Sequence, residues 1–62
     1  MNIESMISEY ENERTSLIMA LHLTDKNDVE RRMEIAKQLD EIDELIEELK
    51  EEEKIKNSKY RN

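Results

Sequence analysis

The sequence predicts an all-α fold: a two-helix antiparallel hairpin that associates into a four-helix bundle or docks on a partner. Three observations predict it. Apolar residues recur at spacings of three and four in two stretches, 1–23 and 29–56, which is the period of one helix face. Between them stand Thr24-Asp25-Lys26-Asn27-Asp28, five consecutive polar residues of poor helix propensity. The chain has no Gly and no Pro, so no other residue marks a turn.

The first helix is expected over 3–23. Ile3, Met6, Ile7, Tyr10, Leu17, Ile18 and Leu21 fall on one face, and only Arg14 interrupts that stripe. Arg14 should snorkel or pair with a carboxylate across the bundle and set its register. Met19 and Leu23 lie near the opposite face. The end of the helix is therefore apolar nearly all round. Those two residues should pack under the turn, or contact a second copy or a target, for which adaptable methionine is suited.

The turn is expected at 24–28, because Asn and Asp side chains compete with helix by bonding nearby backbone. Asn27 and Glu30 have the spacing of a capping box, and Asp28 and Glu30 complement the dipole of a following helix. Strict heptads from Ile7 would put Arg14, Leu21, Asp28, Ile35, Ile42 and Leu49 in one row and Thr24, Arg31 and Gln38 in the other. The middle of such a seam is polar, which favours a hairpin over one continuous helix.

The second helix is expected over 28–56. Its stripe is Val29, Met33, Ala36, Leu39, Ile42, Ile46 and Leu49, with Ile35 and Leu45 on the flanks. At 1.5 Å per residue the arms are roughly 31 and 43 Å long, so the second overshoots the first by about two turns. Residues 57–62 are polar, without pattern, and are expected to be disordered. The 62 residues form a single domain, and a lone core of that size yields only about 3–5 kcal/mol. A homodimer or a complex with a partner is therefore expected.

Composition excludes several kinds of chemistry. Without Cys there is neither a disulfide nor a thiolate metal site. Without Gly there is no phosphate-cradling loop. His22 has Lys26 where a helix-borne zinc pair needs a second His, and Met19 where a Glu-x-x-His pair needs Glu. Counting a calcium loop from Asp25 puts Glu30 at the obligatory Gly and Ala36 at the bidentate Glu. No cofactor or metal is expected. The longest apolar run, Leu17 to Leu21, is five residues, against about 20 for a span. Residues 1–4 lack a basic leader region, so the expected location is cytoplasmic.

The net charge of -7 is local. Residues 40–54 hold nine carboxylates against Lys50 and Lys54, a net -7 by themselves. Acidic balance argues against nucleic acid and anionic membranes as direct ligands. Such a block can be a solvated face. It can also be a rod that docks in a basic cleft, with fast and salt-sensitive association. The partner-binding residues expected on that reading are Glu44, Glu47, Glu48, Glu51, Glu52 and Asp40, together with the apolar pair Met19 and Leu23. The chain's end reverses sign at Lys54, Lys56, Lys59 and Arg61, which suits a helix C-terminus, while Tyr60 alone is thin for base stacking.

Ala36-Lys37-Gln38-Leu39-Asp40, followed by Ile42 and Leu45-Ile46, resembles the Ser-x-x-Leu-Asp signature of the small sporulation-regulating aspartyl-phosphate phosphatases. The turn Leu23-Thr24-Asp25 is similar to theirs. Ala36 stands at the signature Ser, and the spacing from turn to motif is about one helical turn longer. The resemblance implies a helical hairpin acting on a phosphorylated response regulator, with Asp40 as the functional acid and Gln38 and Leu39 as contacts.

The expected function is a non-enzymatic interaction module that binds and regulates or inhibits a partner, such as a nuclease toxin or a regulator with a basic site. The phosphatase is one alternative, and a structural oligomer or scaffold component is the other.

Overall fold

The computed structural model describes the backbone of residues 2–59 and the side chains of residues 2–55. Two helices, α1 (Ile3–Leu23) and α2 (Val29–Lys59), pack against each other as a hairpin about 55 Å long and 15 Å thick. α2 continues to Lys59, past the end expected at 56. Nothing in Lys56-Asn57-Ser58-Lys59 is a Gly or Pro stop signal. The remainder of the expected tail, residues 60–62, lies outside the described residues.

Both ends of α1 and the start of α2 are closed by side chains. Asn2 is the N-cap of α1, extended at φ -89° and ψ 127°, and its Oδ1 accepts the Glu4 N–H at 3.0 Å. At the other end Thr24 leaves the helix at φ -81° and ψ 136°. Its hydroxyl donates to the Ala20 carbonyl at 2.7 Å, and its N–H donates to the Leu21 carbonyl at 3.2 Å. Two carbonyls left over at the helix end are thus satisfied without a left-handed residue, and among the described residues none has positive φ.

The turn is built on aspartates. Asp25 Oδ1 accepts the Asn27 N–H at 3.1 Å, and the Asp25 carbonyl accepts the Asp28 N–H at 3.0 Å. Asp28 then caps α2: its Oδ1 accepts the Arg31 N–H at 3.3 Å, and its carbonyl accepts the Arg32 N–H at 3.1 Å. The cap therefore sits one residue later than the Asn27–Glu30 spacing suggests. Asp25 takes up the Asn27 N–H in its own turn, so the helix starts after Asp28.

The helices meet along a seam of alternating three- and four-residue steps. On α1 it runs Ile3, Ile7, Tyr10, Arg14, Leu17, Leu21; on α2 it runs Arg32, Ile35, Leu39, Ile42, Ile46, Leu49. Every member except Arg14 is buried or half-buried. Ile7, Ile42 and Ile46 form the central cluster, with Ile3, Tyr10, Leu17 and Leu49 packed on it. Ile35, which hydropathy puts on a flank, is 5 % exposed. Val29, Met33 and Ala36, expected at the seam, are exposed instead. The reason is pairing: a partner helix with three–four steps accepts only one phase of α2, and that phase continues the Leu39–Leu49 stripe through Ile35.

Arg14 interrupts the apolar seam and is held by an ion pair. Its Nε lies 2.7 Å from Asp43 Oδ1 across the hairpin, and both side chains are about half exposed. A second pair joins Lys50 to Glu11 at 4.0 Å. As α1 advances from Glu11 to Arg14, the paired α2 residues retreat from Lys50 to Asp43. The helices are thus antiparallel.

Candidate partner-binding surface

Glu44, Glu47, Glu48, Glu51 and Glu52 are spaced by three and four on α2, so the helix gathers them onto one strip. All five are exposed, and with Ile55 they line a shallow furrow open to solvent. Glu44 and Glu48, Glu47 and Glu51, and Glu48 and Glu52 stand four apart, a like-charge spacing that destabilises the helix. Among the described residues, both ion pairs lie elsewhere, at Arg14–Asp43 and Glu11–Lys50.

Beside this strip runs a second, more enclosed groove between the helices. Met6, Tyr10, Leu45 and Leu49 line it, and Glu48 and Glu52 rim it. Glu48 and Glu52 belong to both surfaces, so strip and groove form one continuous site: an apolar trough with a carboxylate edge. The sequence reading did not assign Met6, Tyr10, Leu45, Leu49 or Ile55 to a site. The available signal was Leu45, an apolar residue one step off the Leu39–Leu49 seam in a stretch otherwise full of acids.

The other expected contact residues do not join this surface. Met19 and Leu23 are exposed, Leu23 at 86 %, so they do not pack under the turn. Leu23 lies at the opposite end of α1 from Met6, roughly 25 Å away at 1.5 Å per residue. Asp40 is exposed and one turn from Glu44 on α2, between the two regions. Among the described residues no three His, Asp or Glu side chains converge as a metal cage, and no helix is long and apolar enough to cross a membrane. What the site offers chemically is negative potential beside exposed hydrocarbon. Set against protein-family models, curated proteins and solved structures, the chain matches none of them.

Proposed function

We propose that this chain is a protein–protein interaction module that binds a basic, amphipathic segment of a partner protein and thereby regulates or inhibits it. The observation that supports this is the joining of the glutamate strip to the Met6–Tyr10–Leu45–Leu49 groove through Glu48 and Glu52. An apolar anchor on the partner fills the trough, and Lys or Arg residues beside it meet the rim. Hydrophobic burial supplies affinity, while charge complementarity supplies rate and selectivity. A cleft that otherwise holds nucleic acid, as in a nuclease toxin or nucleic-acid-binding regulator, has the required charge.

The test compares the parent with a variant carrying Glu47→Gln, Glu48→Gln, Glu51→Gln and Glu52→Gln. Proteins retained from a lysate of the native host are identified, and the affinity of each is measured against salt. Basic partners should be lost from the variant, with a shallower salt dependence, while helicity by circular dichroism is unchanged. Equal affinity for the same partner in both proteins would sink the proposal.

A second reading follows from Asp40. This residue is exposed on α2 of a hairpin, the architecture that the phosphatase resemblance implies. On that reading the parent dephosphorylates a response regulator and Asp40→Ala abolishes the activity. A parent protein without such activity disposes of it.

A further inference from the structure

Away from the acidic site, one flank of the hairpin changes character along its length. It is marked by Glu11–Lys50 and Arg14–Asp43, which pair across it. Ile18 follows Glu11 by seven residues, and Ala36 and Val29 precede Asp43 by seven and fourteen. The heptad repeat therefore returns all three to the same flank. Met33 lies one helical turn from both Val29 and Ala36. Toward the turn, the charged rungs thus give way to a stripe of Val29, Met33 and Ala36 beside half-buried Ile18. Val29 is 58 % and Met33 67 % exposed, although both are large hydrophobic residues.

The charges bordering this stripe favour one occupant. Glu30 is three residues before Met33 and Lys37 four after it, so both stand next to Met33 with opposite signs. A second α2 laid antiparallel, with its Met33 against this one, brings Val29 within one residue, about 1.5 Å along the axis, of Ala36 of the second copy. The same register brings Glu30 within one residue of Lys37 of the second copy and, by symmetry, Lys37 within one residue of Glu30. Two-fold contacts require such self-complementarity. Residues 14–37 are also near neutral, with five cations against four carboxylates. Overlap at the turn halves points the two -7 blocks of residues 40–54 to opposite ends and so minimises their repulsion.

We infer that two copies of this chain associate through the Val29–Met33–Ala36 stripe, antiparallel, around a two-fold axis near Met33 and with reciprocal Glu30–Lys37 pairs. This contact does not depend on the acidic surface having a partner, and it leaves both acidic ends accessible.

Sedimentation equilibrium over a concentration series tests it, with circular dichroism as the control for folding. The parent should reach a dimer. Met33→Glu and Val29→Glu, at sites already exposed in the hairpin, should raise the dimer dissociation constant at least tenfold with helicity retained. Glu30→Lys should weaken the dimer, and adding Lys37→Glu to it should restore association, because the reciprocal pair re-forms with reversed sign. A parent that is monomeric at every concentration overturns the inference. So does a dimer that survives Met33→Glu, or one lost instead through Leu23→Glu or Leu45→Glu, which would place the contact on another face. Failure of the double charge reversal to restore a dimer weakened by Glu30→Lys overturns the antiparallel register.

Discussion

Ile35 and Met33 stand two residues apart on α2 and separate the observed seam from the hydropathic stripe. Ile35→Ala removes three carbons from a side chain that is 5 % exposed. At about 0.8 kcal/mol per buried carbon the loss is about 2–2.5 kcal/mol, and the cavity term raises it to about 2–3 kcal/mol. That term is small here because a two-helix seam is open at its sides and can collapse. Met33→Ala removes a side chain that is 67 % exposed and introduces a better helix former, so its cost should be below about 0.5 kcal/mol. A two-helix core of this size supplies only about 3–5 kcal/mol, so Ile35→Ala should remove half or more of the stability. Urea unfolding followed by far-ultraviolet circular dichroism measures both, at dilutions where sedimentation shows a monomer. Equal losses, or a larger loss for Met33→Ala, would refute the assigned seam.

Three further outcomes are expected from single positions. Asp28→Ala deprives the Arg31 N–H of its acceptor and should destabilise the hairpin by about 1 kcal/mol, whereas Asn27→Ala, whose side chain is not the cap, should cost less in the same urea titration. Asp43→Ala breaks a half-exposed ion pair with Arg14; the loss should stay below about 1 kcal/mol and shrink as salt is added. Glu48→Gln relieves like charges at Glu44 and Glu52 and should raise the melting temperature at low ionic strength, with the gain vanishing near 1 M salt, where the Debye length is about 3 Å.

The helices and the turn were legible because their signals are local. The stripe from Ile3 to Leu21 needs only the helical period, and the α1 members named from the sequence are all buried or half-buried. Arg14, isolated among apolar neighbours, called for either snorkelling or a carboxylate partner, and it pairs with Asp43. The acidic strip was legible as well, since spacings of three and four on a helix put Glu44 to Glu52 on one side whatever that helix packs against. The groove was not legible, because Met6 and Tyr10 come from one helix and Leu45 and Leu49 from the other. Their meeting depends on the register between the helices.

The sequence by itself determined that there are two helices, that the polar residues 24–28 make the turn between them, and that the net charge sits in residues 40–54. Periodicity, capping chemistry and charge counting are properties of neighbours along the chain. Only the tertiary structure decided which face of α2 is the core. The start of α2 carries two overlapping apolar stripes, one through Val29, Met33 and Ala36 and one through Ile35 and Leu39, and hydropathy alone favours the first. Packing against the three–four steps of α1 buries the second and leaves the first in water, because interdigitation admits a single phase. That choice exposes Val29 and Met33 at the turn end, while the register brings Leu45 and Leu49 beside Met6 and Tyr10 at the acidic end.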